Sequence, residues 1–153
     1  MKCKQELTKY KSEIIEEYGS CTILKVKNSN FKKNCSNTGD RKAIKGWSWI
    51  DYWRSMTGIA NNLLTCASCG KIIYAGPIPK MMEKMFYLTG DKPENHVAQG
   101  GHVWVNAPSN ASYRGGRYIV PLCPYCNGQH DKDILILAGS ILCKEVGTNN
   151  NEQ

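Results

Sequence analysis

No stretch of this chain is apolar for long enough to span a membrane as a helix. The longest uninterrupted apolar run, ILILA at 134–138, is strand-sized, against the ~18 residues a spanning helix needs. The opening residues, MKCKQELTKYKSEIIEEY, lack the apolar core of a signal peptide, so a cytoplasmic chain without a membrane partner is expected. Histidine is scarce: imidazole chemistry has only His96, His102 and His130 to draw on. Apart from two C-x-x-C pairs there is no internal repeat, and no dense basic cluster is present. With 41% hydrophobic and 22% charged residues, composition excludes wholesale disorder. At 153 residues the chain is long enough for one modest core with appendages.

What is abundant is cysteine, with eight residues. In a secreted chain eight would suggest a disulfide framework; without a secretion signal they point to metal or free thiols. Four fall into the pairs Cys66/Cys69 and Cys123/Cys126, while Cys3, Cys21, Cys35 and Cys143 stand singly and are expected to carry no chemistry. Zinc takes thiolates tetrahedrally, and a C-x-x-C turn brings two sulfurs to one ion while backbone amides point at them. Gly70 after the first pair and Asn127 after the second tolerate the left-handed backbone such turns contain. The expectation is one structural zinc held by Cys66, Cys69, Cys123 and Cys126. Four thiolates leave no open coordination position, so any reaction must lie elsewhere.

Along the chain, Leu7, Tyr10, Ile14 and Tyr18 recur at helical spacing and predict an amphipathic helix over 6–18. CTILKVK at 21–27 reads as a strand, and the polar, Asn- and Ser-punctuated residues 28–45 as a loop and the best internal boundary. Ser48 with Asp51 three residues on marks a helix start; Trp49, Tyr52, Trp53 and Met56 form an aromatic face, expected to be core more than a base-stacking surface, and Gly58 can end the helix. A strand is expected at 72–74, a short helix at 79–88, a hairpin from strands at 100–106 and 118–122, a short helix from Pro124, and a strand or strand pair over 134–146. The divisions that follow are a basic N-terminal extension at 1–60, a zinc-binding domain at 61–146, and a frayed tail at 147–153.

The run C-x-x-C, then GGHV on a strand, then YIVPLCPYCNGQH resembles the zinc-containing HNH (His-Me finger) nucleases, most closely the endonuclease VII type, over residues 64–131. It also looks like a group of small bacterial and phage proteins with a G-x-H-V strand followed by Y-I-V-P-L-C-x-x-C-N. The resemblance, in which the helical, basic N-terminal extension has no part, implies an α+β fold with a zinc-stabilised ββα-metal (HNH-like, treble-clef) core. It further implies that His102 is the general base for water attacking phosphorus, Asn127 a ligand or orienter for Mg or Mn, and His130 a second ligand. Histidine titrates near neutrality and a hard cation steadies phosphate charge, so this chemistry is sound. The chain departs from the pattern at Gly101, where active members carry an acidic or histidine metal anchor. Asp131 or Asp133 would have to substitute, and their spacing does not show that they do. Other roles stay open: His102 facing solvent, donating to a carbonyl or replacing a zinc cysteine; Asn127 closing the knuckle or capping a helix; His130 on the surface; His96 incidental.

The formal net charge is +7 and sits unevenly. Residues 1–60 hold 12 Lys/Arg against 6 Asp/Glu, and residues 61–153 hold 8 against 7. One zinc on four thiolates lowers the working charge to about +5. Two functions follow. One is a nucleic-acid-binding protein, with or without nuclease activity, using Lys42, Lys45 and Arg54 from the basic region Lys25 to Arg54, and Arg114 and Arg117 from the hairpin loop. The other is a non-catalytic, zinc-scaffolded protein-interaction module or regulator, for example from a phage or mobile element, with a protein partner.

Overall fold

A computed structural model describes residues 22–35, 43 and 46–145. The helix expected over 6–18, Cys3, Cys21, Lys42, Lys45 and the tail lie outside the described residues. The described elements are β1 (Ile23–Lys25), β2 (Asn30–Lys33), α1 (Trp49–Thr57), β3 (Leu63–Thr65), β4 (Ile72–Tyr74), α2 (Lys80–Leu88), a 3-10 turn (Pro93–His96), β5 (Gln99–Val105), β6 (Gly116–Leu122), α3 (Pro124–Asn127), β7 (Asp133–Ile136) and β8 (Ile141–Lys144). The protein is thus a mixed α/β structure. Among the described residues no helix is long and apolar enough to cross a membrane.

Among the described residues the strands pair antiparallel, and one isolated parallel bridge joins Tyr74 to Val97. One four-stranded sheet runs β1-β8-β6-β5, and two ribbons pair β2 with β7 and β3 with β4. The center of the fold is the β5–β6 hairpin, whose register sets His102 opposite Ile119 and Trp104 opposite Arg117. Alternation along β5 buries Val103 and Val105 on one face and turns Trp104 outward. β6 is buried from Tyr118 through Leu122.

The helix α1 forms where its cap and stop residues require. Ser48 Oγ accepts from the Asp51 amide at 3.3 Å, and Gly58 ends the helix at φ 75°, a conformation that favours glycine. Its aromatic face is core: Trp49, Tyr52, Trp53 and Met56 are all buried. The two aromatic polar ends still find partners, with the Tyr52 hydroxyl donating to Lys144 O (2.7 Å) and Trp53 Nε1 to Ile141 O (2.8 Å), which bolts α1 to β8. The start of α1 rests directly on β5, since a Cβ on Gly100 would lie 2.5 Å from the Trp49 carbonyl carbon. No other residue fits there.

Two expectations change. Part of the segment read as a loop, residues 30–33, is strand β2, paired with β7 from Asn30↔Ile136 to Lys33↔Asp133. β2 is joined to the hairpin by the Asn34↔Val103 bridge and by the Cys35 amide donating to His102 O at 2.8 Å. Its side chains are mostly exposed, so backbone pairing rather than apolar burial makes it a strand. The region over 134–146 is two strands, but β7 joins β2 while β8 is inserted between β1 and β6.

Candidate metal centre and basic recess

Cys66 and Cys69 lie in the turn between β3 and β4; Cys123 and Cys126 lie where β6 runs into α3. The four Sγ atoms are all within 4.8 Å of one another, and Cys69 Sγ stands 3.8 Å from Cys123 Sγ. Four sulfurs at about 2.3 Å from a common ion are about 3.8 Å apart, so the cluster fits a tetrahedral zinc. Among the described residues this is the one group of three or more His, Cys, Asp or Glu side chains able to share a metal. Donor chemistry and closed geometry both suit zinc in a structural role.

The surroundings prepare the sulfurs for a cation. The Cys123 amide donates to Cys66 Sγ (3.3 Å), and the Cys126 amide to Cys123 Sγ (3.5 Å). Burial pushes the Cys66 thiol up, but the backbone amides of Cys69, Cys123 and Ser68 outweigh it and bring the thiol below its ordinary value. Burial raises Cys69 and Cys126, and the neighbouring sulfurs add to that rise. Crowding several thiolates without a cation is unfavourable; a divalent ion reverses this. Gly70, at φ 80°, closes the first turn with its amide on Cys66 O at 2.9 Å. That turn is docked by the Ala67 amide on Pro121 O (2.9 Å) and by the Leu137 amide on Ala67 O (2.8 Å).

A residue without a sequence signal secures the second turn. Asn34 is fully buried, and its Nδ2 donates to the carbonyls of Cys126 (3.3 Å), Asn127 (3.0 Å) and Gln129 (2.9 Å). It ties the end of β2 to the carboxyl end of α3, satisfying carbonyls that a four-residue helix cannot.

His102 and Asn127 do not face each other. A Cβ on Gly101 would lie 2.9 Å from Asn127 Oδ1 and 2.3 Å from Leu122 Cδ1, so Asn127 occupies the Gly101 face of β5. His102, the next residue, points to the opposite face. There it is 3% exposed, packed edge-on against Trp49 at 4.7 Å, with Nε2 3.4 Å from Glu145 Oε1. Glu145 also receives Arg117 Nε at 3.5 Å. Asn127 donates to Gln99 Oε1 at 2.9 Å, and His130, Asp131 and Asp133 are exposed. The position where a metal anchor would stand is filled by Leu122 and Asn127.

Of the cations named from sequence, Arg114 is exposed on the hairpin loop. Arg54 is committed locally, 3.6 Å from Asp51 and donating to Ala60 O (2.8 Å) and Asn62 Oδ1 (3.0 Å). His96 is part of the packing: buried and stacked on Phe86 at 3.8 Å, it places Nδ1 2.6 Å from Ile72 O and Nε2 2.6 Å from Asp91 Oδ2.

The structure gathers a basic recess of about 480 Å³ at the mouth between β1, β2 and the hairpin loop. Lys25, Lys27 and Lys32 line it with Asn28, Asn110 and Tyr113, and among the described residues no acidic side chain does. Burial holds the Lys32 ammonium below its usual value. These lysines belong to the basic stretch visible in sequence, and β1 and β2 together turn them toward one space. Compared with protein-family models, curated proteins and solved structures, the chain matches none.

Proposed function

We propose that this is a zinc-stabilised nucleic-acid-binding protein that grips the phosphate backbone without cutting it. The observation that carries the reading is the recess that three lysines line, with no acid among its described lining residues. A half-buried ammonium such as Lys32 has lost part of its hydration, and a phosphate restores its charge partner. The order hairpin, C-x-x-C, short helix over β5, β6 and α3 supports kinship with the HNH nucleases. The filled Gly101 face and the burial of His102 support binding alone. In this reading Zn is the only cofactor, and His102 serves the core as the partner of Glu145.

The test is fluorescence anisotropy with labelled DNA across a salt series. Affinity should fall steeply with salt, and K25A/K27A/K32A should flatten the slope by about 2, since each phosphate contact on a single strand contributes about 0.7. An unchanged slope in the triple variant counts against the recess. Supercoiled plasmid should stay intact with Mg or Mn.

A second reading has its own observation. On α2, Met81, Met85 and Leu88 are 75%, 49% and 85% exposed at helical spacing. An uncovered apolar stripe of this kind suits a protein partner.

A further inference from the structure

The end of the sheet farthest from the cysteines carries a second recess. β6 runs for seven residues from Gly116 to Leu122 before reaching Cys123, so this end lies about 20 Å from the metal centre. It is a cleft of about 440 Å³, lined by Trp104, Asn106, Gly116, Arg117, Lys144 and Glu145 among others. We propose that it takes one unpaired nucleotide of a single strand, with the base stacked on Trp104 and its phosphate near Arg117 and Lys144. The proposal rests on the nucleic-acid reading above and specifies how that strand is held.

Four features carry it. Trp104 is 46% exposed between two buried valines, while Trp49 and Trp53 are buried in the core. Its orientation is fixed, since Nε1 donates to Asn106 Oδ1 at 3.1 Å, so little side-chain freedom is lost when a ring stacks on it. Its direct cross-strand neighbour is Arg117. A cation beside an aromatic face is the usual arrangement for a base and its phosphate. Gly116, at φ 126°, leaves room that a side chain would take: a Cβ there would lie 3.2 Å from Lys144 Nζ. The ammonium therefore reaches the cleft wall over bare backbone. Glu145 lies on the same wall, so the formal charge of the lining is about one positive. That suits a single phosphodiester better than a triphosphate.

Val105 lines both this cleft and the lysine recess, so the two adjoin. A strand whose phosphates lie along Lys25, Lys27 and Lys32 can set a base into the cleft as it rounds the hairpin. A duplex, whose bases are already stacked and paired, cannot do so without opening.

The experiment compares wild type, Trp104→Ala and Trp104→Phe, all first shown by thermal melting to be folded. Each is titrated against a labelled 12-nucleotide oligo-dT, a duplex of equal length, and free thymidine monophosphate. The expected result is a preference for the single strand. Trp104→Ala should lose about 5- to 150-fold in single-strand affinity with an unchanged salt slope, and Trp104→Phe should retain most of it. Equal single-strand affinity in wild type and Trp104→Ala, or a wild-type preference for duplex, overturns the cleft while leaving phosphate binding standing. Monophosphate binding that Trp104→Ala abolishes, with no binding of either polymer at low salt, keeps the nucleotide cleft and overturns the polymer. Absence of all binding overturns both readings.

Discussion

At the scale of single residues, the buried amide of Asn34 supports the four-cysteine cluster without touching a sulfur. Its Nδ2 serves three carbonyls of the second cysteine turn. Asn34→Ala removes that donor and should cost about 1–3 kcal/mol, with faster zinc loss to a chromophoric chelator. Asn34→Asp should cost more, because a carboxylate would face three carbonyl oxygens. Gly101 gives the converse case. Introducing the acidic residue carried by the nucleases that the chain resembles, Gly101→Asp, places a side chain where Leu122 and Asn127 already stand. The expected outcome is a lower melting temperature, from overpacking that costs about 1–3 kcal/mol, and no plasmid nicking. Sequence spacing identified the position but not its surroundings. Asn34 was hidden for a simpler reason: its partners lie 92 to 95 residues away, and it sits in a polar stretch that reads as loop.

Asp91 supplies the pH dependence at this scale. Hydrogen bonds from Asn95, His96 and the Lys92 amide hold its carboxyl well below the usual carboxylate range. A carboxyl whose folded pKa is depressed stabilises the fold fully above its unfolded value, near 4, and that contribution drains away as pH falls further. Melting temperature followed from pH 6 down to 3 should therefore decline, and Asp91→Asn should flatten the part of the decline below about pH 4. Identical curves for the two proteins would remove Asp91 from the account.

At the scale of elements, what could be read in advance was what local chemistry determines. The C-x-x-C turns, the Ser48 and Gly58 ends of α1, the β5–β6 hairpin and the short helix α2 each carry their own signal in neighbouring residues. β2 carries none, because Asn30, Phe31 and Lys33 are exposed and its pairing is a property of β7. The partners of β7 and β8 were likewise beyond periodicity, which reports a strand but not its neighbour. A zinc held by the four cysteines would link the β3–β4 ribbon to the end of β6. Cys123→Ser, or stripping with a strong chelator, should abolish the cooperative melt, since apparent zinc-binding energies of about 10–16 kcal/mol exceed the usual stability of a domain. A Cys35→Ser melt indistinguishable from wild type is the matching control, because Cys35 is outside the cluster.

At the scale of the whole molecule, the charge asymmetry visible in sequence becomes a surface with a place. Lys25, Lys27 and Lys32 are merely close in the chain; β1 and β2 turn them onto one recess beside the hairpin loop. The candidate nuclease residues fare differently, because strand alternation turns His102 to the face of β5 opposite the one Asn127 occupies.

The pairing of Lys25 with Ile141 joins the first described strand to the last. On a ribosome, then, the two events of assembly come at different times. Both cysteine turns are available to capture zinc once Cys126 has emerged, whereas β1 must wait, bearing its unpaired backbone, until β8 follows. A nascent chain starved of zinc would spend that interval with neither the metal nor the closing strand, the period in which a holdase chaperone has most to protect.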